Sequence, residues 1–182
     1  MLIEPLRADR LDDLVALMRL GAPYVTVRGA SDYWLYAHLF AATCPVAVDG
    51  DTTDGRMVGA VIAMRSQVEP GTVYVQDVAV RPDHRRAGVA RALLASVAAQ
   101  ARAWGCDRLT LTCAPGNAAA LAAWTQLGFR NLPGDYTVDG IQVIRDFKGP
   151  GRDRPVFQLD LTPTDTDVRR TNNADQEEAM DR

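Results

Sequence analysis

Between Arg81 and Leu94 the chain reads RPDHRRAGVARALL, four arginines around one glycine, directly ahead of an alanine- and leucine-rich segment. Such a pattern suits an anion. A helix N-terminus carries unpaired backbone N–H groups and the positive end of the helix dipole, so it accepts phosphate. Gly88, without a side chain, lets a phosphate approach the backbone, and Ala90 is nearly as small. Arg85, Arg86 and Arg91 add charge-assisted contacts suited to a diphosphate. The plainer alternative is a glycine that starts a helix beside solvated arginines. Two familiar phosphate loops do not fit. There is no GKS or GKT, and GVARAL lacks the second and third glycines of the dinucleotide fingerprint.

Other reactive side chains are sparse. Cys44, Cys106 and Cys113 are odd in number and far apart, with no CxxC, which predicts neither a disulfide framework nor a zinc site. The two histidines, His38 and His84, do not stand at metal-ligand spacing from a cysteine, and no metal is expected.

The elements that must position these residues follow from periodicity and turn chemistry. Residues 2–7 predict a short strand, and Asp9 is the expected cap of a helix with Leu11, Leu14, Val15, Leu17 and Met18 at helical spacing. Gly21, Pro23 and Gly29 interrupt it, and Ser31 is the expected cap of the aromatic-rich SDYWLYAHLFAAT. Three strands follow, around CPVAV, RMVGAVIAM and GTVYVQDVAV, joined by the turn-rich VDGDTTDG and VEPG. A helix over residues 87–104 aligns Val89, Leu93, Val97 and Trp104. Then come the strand RLTLTC, the loop APGN and the helix NAAALAAWTQLG, stopped by Gly128. YTVDGIQVI and RPVFQLDL read as two final strands. The result is an α/β (α+β) fold, a mostly antiparallel sheet of six to seven strands with one parallel crossover and about four helices. One domain over residues 1–161 is expected, with a disordered polar tail over 162–182, where no aromatic residue and little apolar surface remain.

Bulk composition excludes several classes. With 182 residues, 47% hydrophobic, 24% charged and a net charge of −3, the chain reads as an ordinary soluble domain. Nothing in that balance points to nucleic acid or a membrane. No apolar run approaches the roughly 18 residues of a membrane span, and the charged amino terminus does not read as a signal peptide, so a cytoplasmic location is expected.

A more specific pattern fits the phosphate loop. Arg85-Arg86-Ala87-Gly88-Val89-Ala90 matches Arg/Gln-x-x-Gly-x-Gly/Ala after a strand ending in VAVRP, and here the sequence resembles the GNAT family of acyl-CoA-dependent N-acyltransferases. The later APGNAAALAAWTQLGF resembles that family's second landmark, an asparagine opening a helix that ends in Leu-Gly-Phe. The resemblance covers residues 3–161. It implies acetyl-CoA as acyl donor, no metal, and a primary amine on a small molecule as acceptor. It further implies that Val78, Ala79 and Val80 pair with the pantetheine arm, that the amides from Arg86 to Arg91 hold the diphosphate, and that Asn117 and Trp124 border the donor. By the same resemblance Asp77 is the candidate base, with His84 a less favoured one, while Asp32, Tyr33, Gln76 and Cys113 border the acceptor.

One departure stands out. Relatives often carry a tyrosine, poised to protonate the leaving thiolate, where this chain has Trp124, whose indole N–H is no useful acid. A thiol of ordinary pKa, about 8.5, nevertheless leaves tolerably as thiolate. Cys113 as an acyl-accepting nucleophile is weighed against a small buried hydrophobe, and the latter is favoured. Within the family, YWLYAHLFAATCPVAVDG and LTLTCAPGNAAALAAW are most similar to the diaminobutyrate acetyltransferases, which makes an amino acid or diamine the leading acceptor. Against this, TVRGAS stands where that subfamily carries polar contacts, and the segment from Asp135 to Arg154 is longer than expected. An amine-bearing antibiotic and a protein N-terminus are the alternative acceptors. A non-catalytic acyl-CoA-binding module is the alternative class, and a homodimer stays open.

Overall fold

A computed structural model describes residues 1–50 and 55–161. The expected tail lies outside the described residues, as does part of the turn VDGDTTDG. A seven-stranded sheet runs in the order β1-β2-β3-β4-β5-β9-β6, with a separate hairpin of β7 (Tyr136–Val138) and β8 (Ile141–Val143). Its strands are β1 Leu2–Pro5, β2 Pro45–Val48, β3 Met57–Arg65, β4 Thr72–Val80, β5 Arg108–Thr112, β6 Arg130–Asn131 and β9 Val156–Asp160. β4 and β5 pair in parallel and every other neighbouring pair is antiparallel, as the single helical crossover requires.

Two layers of helix cover the sheet. On one face α3 (Val89–Ala103) buries Val89, Leu93, Val97 and Ala101 at i+4 spacing against β3, β4 and β5. Each fully buried Leu or Val contributes about 1.5–3 kcal/mol. On the other face α1 (Leu11–Arg19) and α2 (Ala30–Leu39) enclose Leu14, Leu17, Met18, Tyr33 and Ile62. β3, covered on both sides, is buried from Met57 to Ala63, hence its continuous apolar run. Gly59 lets α3 lie close, since a Cβ there would come 2.6 Å from Val89 Cγ1.

Several expectations are corrected. Asp9 does not cap α1: it sits in a short 3-10 turn, its carboxylate taken by the Arg7 guanidinium at 3.0 Å. Ser31 lies inside α2, whose cap is Gly29, with the Asp32 carboxylate accepting from the Gly29 N–H at 3.1 Å. Trp104 does not join the buried stripe but ends α3 and is 37% exposed, and Ala101 takes the buried place. YTVDGIQVI is a hairpin, β7 Tyr136–Val138 and β8 Ile141–Val143, turning on Asp139 and Gly140 with φ of 49° and 80°. The two-residue β6 was not foreseen.

The sheet opens where β4 outruns β5. β5 pairs only with Thr72–Val75 of β4. Beyond that, Gln76 is an extra residue in the ladder with β3, which matches Ala63 to Val75 and Ile62 to Asp77. The bulge bends β4 away, and Val78–Val80 form one wall of a cleft. The opposite wall is α4 (Ala118–Gln126).

Candidate active site

The first half of the cleft is built by the start of α3. Gly88 caps the helix at φ 81°, and Arg86 also has a positive φ of 64°. These left-handed turns aim successive amides into one concavity. The first intrahelical bond runs from Ala92 N–H to the Gly88 carbonyl, which leaves the amides of Val89, Ala90 and Arg91 as the open donors of the helix. A Cβ on Gly88 would meet nothing within 4 Å, so the glycine serves its backbone angle and the empty space above it. That space is a cavity of about 420 Å³ lined by Val80, His84, Arg85, Arg86, Gly88–Arg91 and the α4 residues Ala119, Ala123 and Gln126. Arg85 and Arg91 flank it, each donating to a carbonyl, Val80 O and Gln126 O, at 3.3 Å. Ala87 is exposed but does not line the cavity. His84 pairs with Asp83 at 3.0 Å, and that hydrogen bond holds the exposed Asp83 carboxyl down at about 2.

A second cavity of about 350 Å³ continues from the first through Val80, Arg85, Ala119 and Ala123. Its walls are Val78–Val80 on β4 and Asn117, Ala120 and Trp124 on α4. The loop from Gly21 to Val25 roofs it, and the Tyr24 hydroxyl donates to the Gly116 carbonyl across the gap at 3.4 Å. Asn117 caps α4 by accepting the Ala120 N–H at 3.1 Å. The Trp124 indole stands edge-on to Phe129, and its N–H is buried without a hydrogen bond of normal geometry. It lies near enough to the Cys113 thiol to oppose the burial that pushes that thiol up to about 11. A thiol so shifted is almost wholly protonated at neutral pH and is a poor nucleophile.

Beside the bulge, Asp77 is a buried carboxylate on β4, next to the cavity-lining Val78. Its side chain is 11% exposed, and its Oδ2 accepts from Arg28 Nη2 at 3.2 Å and Nε at 3.3 Å. Burial pushes its carboxyl above the ordinary value, against the pull of Arg28, Lys148 and a hydrogen bond from Gln76. For Arg28, burial works against the charge, but attraction to Asp77 prevails and raises its pKa. Tyr36, nearby, is pushed up by burial. Tyr33 is 1% exposed, and its hydroxyl accepts the Arg28 backbone N–H at 3.1 Å, so it holds the loop that carries Arg28. Asp32 lies on the exposed start of α2, occupied with Gly29.

The structure thus brings Val78–Val80, Arg85, Arg86, Gly88–Arg91, Asn117 and Trp124 around two adjoining cavities, while Gln76, Asp77 and Cys113 line neither of them. It adds residues that sequence reasoning missed. Arg28, Tyr24 and Lys148 come from loops distant in sequence, and two of them, Arg28 in TVRGAS and Lys148 in residues 135–154, lie in segments already marked as unusual.

A helix start opening onto a channel beside a bulged strand is an arrangement that comparison with known proteins can place. The family model described as "Acetyltransferase (GNAT) family" matches residues 14–129. The chain belongs to the GNAT family. A curated relative, the L-2,4-diaminobutyric acid acetyltransferase of Nocardia farcinica, is 31% identical over 127 residues, covering 69% of this chain and 64% of the relative. The chloroplastic GCN5-related N-acetyltransferase 4 of Arabidopsis thaliana is 38% identical over 66 residues, 36% of this chain and 23% of the relative. The chain therefore matches less than two thirds of the length of either. Among solved structures, the GNAT fold here is similar to that of the diaminobutyrate acetyltransferase EctA from Paenibacillus lautus, determined with its substrate and coenzyme A. The TM-score is 0.67 at 24% identity, over 90% of this chain and 96% of that one. Naa20 of Chaetomium thermophilum, with a bisubstrate analogue, gives a TM-score of 0.70 at 21% identity, over 93% and 90%.

Proposed function

We propose that this GNAT chain transfers the acetyl group of acetyl-CoA to a primary amine of a small molecule, an amino acid or diamine, with diaminobutyrate the leading acceptor. The observation that carries the reading is the junction of the two cavities at Val80 and Arg85, which joins an anion cradle to an apolar channel walled by Val78–Val80, the residues that follow the buried Asp77 on β4. In this reading the amides of Val89–Arg91, with Arg85, Arg86 and Arg91, hold the diphosphate of the donor. The backbone of Val78–Val80, freed from β5 by the bulge, pairs with the amide-bearing arm. The similarity to the Nocardia enzyme supports the acceptor class.

An alkylammonium of reference pKa near 10.4 must lose a proton before it attacks a thioester. Asp77 accepts that proton on Oδ1 or Oδ2, directly or through water. Its raised pKa suits the task better than that of an exposed carboxylate. Arg28 keeps it ionised and oriented. As the C–S bond breaks the thiolate departs past Trp124, which supplies a hydrogen-bond donor where an acid is usual.

The test is release of free thiol from acetyl-CoA across an amine panel that includes diaminobutyrate, ornithine, aminoglycosides and peptides. Saturable turnover with a small amino acid or diamine is expected. Turnover confined to peptides or aminoglycosides would overturn the acceptor class, and donor binding without turnover on any amine would favour a non-catalytic module.

A further inference from the structure

We infer that the turn following the β7–β8 hairpin is a specificity element and that Lys148, which it presents, binds a carboxylate carried by the amine acceptor. This rests on the acetyl-transfer reading of the same cleft.

Lys148 is the only lysine in the sequence; every other cationic side chain of its kind is arginine. It stands on the segment whose length set it apart in the sequence, and that segment is braced. Ile144 and Arg154 exchange both backbone hydrogen bonds at 2.9 Å. The two oxygens of Asp153 accept from the Asp146 N–H at 3.0 Å and the Tyr136 hydroxyl at 2.6 Å. The Lys148 N–H donates to the Arg152 carbonyl at 3.2 Å. Ordering so many groups costs conformational entropy, and a loop so fixed gives its side chain a defined place.

That place is against β4, the strand that carries Asp77. The ammonium lies 5.2 Å from the centroid of the Tyr74 ring, which is itself fixed by a hydrogen bond between its hydroxyl and Thr112 Oγ1 at 3.2 Å. Tyr74 precedes the bulge on the strand that carries Asp77. Among the described residues no carboxylate stands within ion-pair distance of Lys148, and Asp77 pairs with Arg28 instead. Lys148 reaches Asp77 only through longer-range attraction. Two cations therefore serve one carboxylate, a balance that favours an anionic group on the ligand and disfavours a simple diamine. An amino acid meets both demands, with its carboxylate on Lys148 and its amine toward Asp77.

The experiment uses pairs of acceptors that differ only by the carboxylate: diaminobutyrate and diaminopropane, ornithine and putrescine, lysine and cadaverine. Each is assayed with acetyl-CoA by thiol release. The wild-type chain should prefer the carboxylate-bearing member of whichever pair it turns over. Lys148→Met should raise KM for that member about 10- to 100-fold, the range for losing a charged hydrogen bond, with kcat and the partner amine little changed. Lys148→Arg should keep most of the preference. A wild-type chain indifferent to the carboxylate, or a Lys148→Met loss shared equally by both members of a pair, would overturn the inference. Absence of thiol release with every amine would defeat the acetyl-transfer reading first and this one with it.

Discussion

Asp77 and Arg28 are 49 positions apart, and their pairing raises the pKa of Arg28 while it opposes the burial that raises that of Asp77. If Asp77 takes the amine proton, Asp77→Asn should lower the rate near neutral pH by about 10²–10⁴-fold, with acetyl-CoA affinity retained. The loss should shrink as pH approaches the pKa of the amine, because free amine then needs no base. A drop below about fivefold would be too small for a general base. The direction of the pKa shift gives a second prediction. Burial raises the Asp77 carboxyl and Arg28 pulls it back, so kcat/KM should fall as pH drops through that raised value. Arg28→Gln removes the pull, the value climbs further, and the acid limb of the profile should move to higher pH. A limb that stays in place would assign it to another group. Asp77 itself could be marked in the sequence because it precedes VAVRP. Arg28 could not, since no local pattern encodes a contact made by folding a loop onto a strand.

The helix and strand assignments were legible wherever one face is apolar and the other polar, as in α1, α3 and β4, because burial follows period there. The misreadings are local competitions. Asp9 and Ser31 have good capping side chains, but Arg7 takes the first, and the second is displaced because Gly29, two residues earlier, caps the helix through its pairing with Asp32. The Asp139-Gly140 turn was visible as a dipeptide yet passed over because its flanking strands have only three residues each. The bulge at Gln76, which opens the cleft, leaves no compositional mark. Packing at the element scale gives a stability prediction. Gly59→Ala should drive a methyl to 2.6 Å from Val89 Cγ1 and lower stability by about 1–3 kcal/mol, read as a lower denaturant midpoint at unchanged slope. Asn117→Ala, which loses only a cap, should cost about 0.5–2 kcal/mol. A Gly59 variant as stable as wild type would contradict the close approach of α3 to β3.

Across the whole molecule the sheet is continuous through β3 and β4 but divided beyond Val75, and the cleft lies where the two parts separate. A ligand there touches β4, α3 and α4 together, so binding should stabilise the fold as a unit. Melting temperature should rise with acetyl-CoA concentration, by the equivalent of about 2.7 kcal/mol at a hundred times Kd. The claim on which the rest depends is that the start of α3 holds the phosphates of that donor. Calorimetric titration of acetyl-CoA into the wild-type chain and into Gly88→Glu, with circular dichroism as the check on folding, tests it directly. Glutamate at φ 81° adds bulk and negative charge to the space that a Cβ on Gly88 would find empty. One saturable site is expected in the wild type and no measurable heat in a folded Gly88→Glu. Equal affinity in the two proteins would contradict the claim.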